Sequence, residues 1–309
     1  MMISSLSIFS FLLNTASATP SFQPMFTDDE SFSESFTAVA DLKDGTYILL
    51  QLLFSNAGFG DYKGACRVLV VPKGSKGYNT SVHVGSKEWT ADAKKVTVDS
   101  CTLQTEGATV SFIAKAENIS ANLKINSALT DLRFPESKIE KNGFYEQDIW
   151  ITSATTSATY TTPEGTKNTT GYVYLDHGRS NLLLPNVAKQ WVRFRGFYGE
   201  EPILLQIRVP PKDSARGWYL YKNQISNLSA SDVIISRGGL QIQGIHDAKI
   251  TSQGLRFVYK PIEAYGAAGS IAKAFIGNPT TNTYSATLTG TLDGKKIQVR
   301  GILEESYVD

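Results

Sequence analysis

Side chains able to do chemistry crowd into two neighbouring segments of this 309-residue chain. The first is Gly171-Tyr172-Val173-Tyr174-Leu175-Asp176-His177-Gly178-Arg179-Ser180-Asn181, and the second Lys189-Gln190-Trp191-Val192-Arg193-Phe194-Arg195-Gly196-Phe197. Strand side chains alternate between faces. Read as strands, the segments put Tyr172, Tyr174 and Asp176 on one face and Val173, Leu175 and His177 on the other. Trp191, Arg193 and Arg195 share a face opposite Val192 and Phe194. Asp176 and His177 are the candidate acid/base residues, and Tyr172, Tyr174, Trp191 and Arg193 candidate ligand contacts. Asp176 and Arg179 beside His177 suit it to general-base work, although a structural, hydrogen-bonded histidine has the same neighbours. A pair between Asp176 and Arg193 or Arg195 would be bidentate and orienting, which serves structure as readily as a pocket. No Gly-x-Ser-x-Gly elbow surrounds Ser180, so acyl-enzyme hydrolysis is not indicated.

A second constellation is Phe144-Tyr145-Glu146-Gln147-Asp148-Ile149-Trp150. Extended, it sets Phe144, Glu146, Asp148 and Trp150 on one face, which makes Glu146 and Trp150 further ligand-contact candidates. A desolvated carboxyl keeps its proton and can donate it to a double bond, and aromatic faces stabilise the resulting cation. An edge strand with solvated acids would show the same pattern. Gly58-Phe-Gly60-Asp-Tyr-Lys-Gly64 has the wrong spacing for a dinucleotide loop. With no Walker A loop and no His-Glu-x-x-His, neither a cofactor nor a metal is expected.

The elements that must position these residues read as strands. Apolar or alternating runs lie at 47–54, 66–71, 108–114, 171–175, 191–197, 203–209, 254–259, 285–292 and 297–302. Turn residues separate them, and Asp293-Gly294 between two such runs marks a tight hairpin because it tolerates positive φ. Only 184–189 and 270–275 hint at helix. Residues 152–170, rich in Thr, Ser and Ala, read as a long hairpin rather than a linker, because a clear strand follows. Ile48-Leu49-Leu50-Gln51 recurs as Ile203-Leu204-Leu205-Gln206 half a chain-length later, each copy after an acidic turn and before a polar loop. One long repeat implies two similar domains rather than a solenoid. The expected fold is all-β, two tandem antiparallel barrels packed side by side, with domains at 19–183 and 184–309.

The charge balance is near neutral, 30 basic against 29 acidic residues, which disfavours nucleic acid as a partner. An apolar stretch from Ile3 to Leu13 followed by Ala16-Ser17-Ala18 reads as a signal peptide over 1–18, though no basic residue precedes it. The stretch is too short to span a bilayer, and no later one is long enough, so no transmembrane segment is expected in the mature chain. A secreted or periplasmic location follows. Cys66 and Cys101, the sole cysteines, form a disulfide if the chain is exported and are otherwise two buried thiols. Asn79, Asn118, Asn168 and Asn227 head glycosylation sequons, which matter only in a host that uses them.

Three stretches carry a resemblance. Phe54-Ser-Asn-Ala-Gly-Phe-Gly60 after an Asp-Gly-led apolar strand, Gly171-Tyr-Val-Tyr174-Leu-Asp-His177, and Val187-Ala-Lys-Gln-Trp191-Val-Arg193-Phe resemble the tandem lipocalin-like proteins. That superfamily holds the AttH-like and carotenoid 1,2-hydratase group and the yeast survival-factor proteins. The resemblance spans residues 25–309 and implies two lipocalin-like barrels with a ligand pocket in or between them. Its members bind or transform greasy molecules. It therefore implies a hydrophobic small-molecule partner (an isoprenoid, polyketide or lipid) or, alternatively, cofactor-independent hydration or cyclisation of an unsaturated substrate. Asp176 would then be the acid, with Tyr174 and Trp191 its aromatic neighbours. A surface-interaction module using the outer barrel faces is a third reading.

Overall fold

The structure is a computed structural model that describes residues 20–56, 61–75, 77–133, 143–199, 201–222, 224–242, 247–260 and 279–308. The expected leader at 1–18, the helix hint at 270–275 and the glycines at 58 and 60 lie outside these residues. The first half contains β1 (Ser33–Leu42), β2 (Tyr47–Ser55), β3 (Lys63–Val71), β4 (Tyr78–Val84), β5 (Trp89–Ala91) and β6 (Lys95–Val98). It continues with β7 (Cys101–Glu106), β8 (Thr109–Ala116), β9 (Ile119–Ile125), β10 (Leu132–Arg133), β11 (Tyr145–Thr162) and β12 (Gly165–Ser180). A four-residue helix, Leu184–Val187, leads into the second half. There lie β13 (Gln190–Tyr198), β14 (Glu201–Val209), β15 (Arg216–Tyr221), β16 (Gln224–Leu228) and β17 (Val233–Ser236). The chain closes with β18 (Gly239–Ile242), β19 (Lys249–Tyr259), β20 (Pro279–Leu292) and β21 (Lys295–Val308).

Two antiparallel sheets result, each a nearly closed barrel. The order is β4-β3-β2-β1-β12-β11-β9-β8-β7-β6-β5 in the first, with β10 paired to β11, and β16-β15-β14-β13-β21-β20-β19-β18-β17 in the second. In both, the first strand of the half pairs with its last: β1 with β12, and β13 with β21. This is the architecture implied by the internal repeat, whose two copies are β2 and β14. The Thr/Ser-rich stretch is the hairpin of β11 and β12, paired from Thr162↔Gly165 onward. Asp293 (φ 50°) and Gly294 (φ 74°) make the tight turn between β20 and β21.

Alternation decides what each strand buries. In β2, Ile48, Leu50, Leu52 and Phe54 are fully buried inside the first barrel, while Leu49, Gln51 and Leu53 face outward. In β14, Ile203, Leu205 and Ile207 fill the second barrel and Leu204 and Gln206 face out. A Cys66–Cys101 disulfide ties β3 to β7 within the first core. The outer faces meet. Val39, Tyr47, Leu69 and Tyr174 of the first barrel pack against Leu204, Trp218, Leu220 and Ile302 of the second in one shared apolar cluster. Burying such a seam contributes to holding the barrels together at about 25 cal/mol per Å² of apolar surface removed from water.

Candidate functional site

A cleft of about 330 Å³ opens beside that apolar seam, between the barrels. Val39, Leu49, Leu69, Trp191 and Phe257 supply apolar wall. The polar groups come in two matching rows. Strand pairing aligns Arg67, Gln51, Thr37 and Asp176 across β3, β2, β1 and β12. It aligns Trp218, Gln206, Arg193 and Glu304 across β15, β14, β13 and β21. The repeated glutamines thus sit at equivalent places, and Asp176 of one barrel corresponds to Glu304 of the other. Thr37 corresponds to Arg193.

Asp176 is buried, and its Oδ2 accepts from the Tyr174 hydroxyl at 2.9 Å and from Gln147 Nε2 at 3.1 Å. The Oε1 of Gln147 in turn accepts from the Tyr145 hydroxyl at 2.9 Å and from Gln206 Nε2 across the barrel junction. Burial, then the negative charge of Asp176, holds the Tyr174 hydroxyl well above the usual phenol range, so it remains a donor. Glu304 accepts from Arg195 Nη1 and, at 2.8 Å, from the Tyr47 hydroxyl of the other barrel. Burial opposes its charge, but Arg195 and Arg193 outweigh burial and bring its carboxyl below the usual range. The Arg195 guanidinium also lies 4.6 Å above the Tyr174 ring. For Arg193, too, burial disfavours charge, and Tyr145, Asp176 and Glu304 more than compensate. Its buried Nε has no hydrogen-bond partner among the described residues.

The candidates from sequence divide between places. Trp191, Arg193 and Asp176 line the cleft, and Tyr174 backs Asp176. The expected Asp176–arginine ion pair is replaced by Arg195–Glu304, because β21, not β12, is the neighbour of β13. Tyr172 stacks on Phe197 with ring centroids 4.4 Å apart. Glu146 pairs with Arg179 at 2.5 Å. Trp150 is buried in the first barrel.

His177, next to Asp176 in sequence, points the other way, and the two do not share a site. Its ring is sandwiched between Phe36 (5.0 Å) and Trp150 (4.8 Å). Its Nε2 lies 2.7 Å from Glu34 Oε1 and its Nδ1 3.6 Å from Asp148 Oδ2. Burial works against protonation, but hydrogen bonds to Asp148 and Glu34 prevail and raise its pKa. Arg133 holds Asp148 at 2.8 Å, and the Met25 backbone N–H donates to Glu34. This network braces the N-terminal segment and β10 against the barrel.

Residues that the sequence reading left unassigned are Tyr145, Gln147, Gln206, Tyr47 and Glu304. Gln51 and Gln206 had a signal: each ends the repeated apolar run with a polar residue on the outward face. Glu304 and Tyr47 join through pairings 257 residues apart, which no local pattern carries.

No protein-family model matches the chain, and no curated protein does. Solved structures do. A protein assigned as AttH from Nitrosomonas europaea superposes with a TM-score of 0.64 at 13% identity, covering 90% of this chain and 93% of that one. CghA, in a structure with Sch210972, gives 0.61 at 11% identity, covering 91% and 89%. Kievitone hydratase from Nectria haematococca gives 0.57 at 12% identity, covering 94% of each chain. Equivalent rows on two equivalent barrels, together with these whole-length superpositions, give the chain the tandem lipocalin-like fold of AttH and kievitone hydratase.

Proposed function

We propose that the protein binds a hydrophobic small molecule, of the isoprenoid, polyketide or lipid class, in the cleft between its barrels. The observation that carries this is the cleft itself: apolar strips flanking a convergent polar row, at a volume within the range of roughly 300–1,000 Å³ usual for small-molecule sites. The neighbour structure that contains Sch210972 supports a small-molecule role for the fold. We also propose that the chain is exported, with 1–18 as its leader; the Cys66–Cys101 bond supports this, since such bonds persist in oxidising compartments.

A second reading is that the cleft catalyses cofactor-independent hydration or cyclisation, supported by the name of kievitone hydratase. In that case Asp176 works as an acceptor, because two donors already converge on its Oδ2. It would take a proton from an attacking water and return it to the neighbouring carbon of the double bond, or take one from an acidic carbon ahead of cyclisation and hand it back afterwards, while Tyr174 and Gln147 fix its orientation. His177 lies outside the cleft and would take no part.

The test is native purification followed by solvent extraction and mass spectrometry, repeated on Leu49→Trp, which fills the cleft wall. A stoichiometric apolar compound recovered from the wild type and lost from the variant is expected. Equal recovery from both would place binding elsewhere. If host extract is turned over, Asp176→Asn should abolish the turnover with folding intact, and undiminished turnover would remove Asp176 from the mechanism.

A further inference from the structure

We infer that the cleft selects ligands bearing an anionic head group, a carboxylate or enolate, and that Arg193 holds it. This rests on the cleft being the binding site.

Charge bookkeeping along the wall points to Arg193. Three guanidiniums, those of Arg67, Arg193 and Arg195, face two carboxylates, Asp176 and Glu304. Arg195 and Tyr47 engage Glu304, and Tyr174 and Gln147 engage Asp176. Arg67 donates to Asn79 at 2.9 Å and lies 3.4 Å over the Tyr259 ring. The other charged groups on the lining, Glu34 and Arg179, are engaged by His177 and by Glu146. One more cation than anion therefore lines the wall, and of these guanidiniums it is Arg193, touched by the Tyr145 hydroxyl, whose Nε lies buried without an acceptor. A buried donor left unmet is costly, and an anion in the cleft would meet it with a charge-assisted bond.

The pseudo-symmetry of the barrels supplies a second argument. The position equivalent to Arg193 in the first barrel is Thr37, set between the equivalent glutamine and the equivalent carboxylate. There Thr37 Oγ1 simply accepts from Gln51 Nε2 at 3.1 Å. A guanidinium is therefore not required by the strand pairing at this point. Beside it, Trp191 and Leu49 offer apolar surface for the ligand's body.

The experiment measures binding of dodecanoate and dodecan-1-ol, equal in chain and different in head, by calorimetry at neutral pH. Wild type, Arg193→Gln, Arg193→Lys and Leu49→Trp are compared, with unfolding midpoints as the folding control. Wild type should prefer dodecanoate by roughly tenfold or more, about one charge-assisted hydrogen bond. Arg193→Gln should remove that preference and leave dodecan-1-ol unchanged, while Arg193→Lys keeps part of it. If both probes bind equally to wild type and Leu49→Trp abolishes both, the head-group assignment fails and the cleft stands. If neither probe binds wild type, both fail.

Discussion

Replacing Arg195 by Met tests whether the buried charges between the barrels are a mutually dependent set. The side chains of Arg195 and Glu304 are only 9% and 8% exposed. Removing the guanidinium leaves Glu304 desolvated, with the Tyr47 hydroxyl still donating at 2.8 Å. Orphaning one member of a buried pair costs about 3–5 kcal/mol, against about 0–1 kcal/mol for an exposed pair. Replacing both members by apolar residues, Arg195→Met with Glu304→Leu, should recover most of that loss. The pH dependence carries a sign. In the wild type the folded carboxyl of Glu304 titrates below its unfolded value, so its contribution is present above that value and lost as pH falls through the folded one. In Arg195→Met the same carboxyl is buried without its hydrogen-bonded cation and keeps only the second charge, Arg193, so protonation relieves the variant. Its deficit should be largest at neutral pH and shrink towards the ordinary glutamate range, about pH 4.3. Urea denaturation followed by tryptophan fluorescence, at neutral and mildly acid pH, reads all of this. A neutral-pH loss below about 1 kcal/mol, or a double variant worse than the single one, would refute the reasoning.

Three further outcomes are expected. His177 titrates above its usual value when folded, so its stabilisation is complete below about pH 6.5 and fades as pH rises through the folded value; thermal midpoints should fall across that window in the wild type and stay flat in His177→Gln. Reducing the Cys66–Cys101 bond, which spans a sequence separation of 35, should cost about 4 kcal/mol in the chain-entropy account, read as a drop in denaturation midpoint with and without reductant. Gly171→Ala would set a Cβ 2.3 Å from the Asp41 carbonyl oxygen and 2.7 Å from Leu42 Cα, backbone atoms that cannot swing away, and should lose at least about 1–3 kcal/mol. Gly254→Ala, with open space around its Cβ, is the control and should stay within about 0.5 kcal/mol.

Much of the fold was legible because its signals are local. Period-two alternation, the Asp293-Gly294 turn and the repeated Ile-Leu-Leu-Gln each declare themselves within a few residues. Face assignments travelled equally well: alternation alone separates Asp176 from His177 and groups Trp191 with Arg193. What alternation cannot say is which strand lies next to which. Asp176 and Arg193 share the cleft, yet β13 pairs with β21, so the arginine's carboxylate neighbour along the row is Glu304 near the chain's end. Alternation also groups Glu146, Asp148 and Trp150, and they do share a face: Glu146 and Asp148 lie opposite Arg179 and His177 in the β11–β12 register, and Trp150 stacks on His177 in the first barrel. Which side of the sheet that face turns to is decided by the barrel's closure and not by the run itself.

The alternation along β2, β12, β13 and β14 has a consequence for how such a protein changes over evolutionary time. Each core residue there has a cleft-facing or interface-facing residue as its immediate chain neighbour, so ligand preference and barrel integrity are written on interleaved positions of the same strands. Substitutions at odd steps can retune what is recognised while the even steps hold the barrels shut. Diversification is therefore cheap by single replacement and ruinous by single insertion, since one added residue in these strands would exchange the two sets.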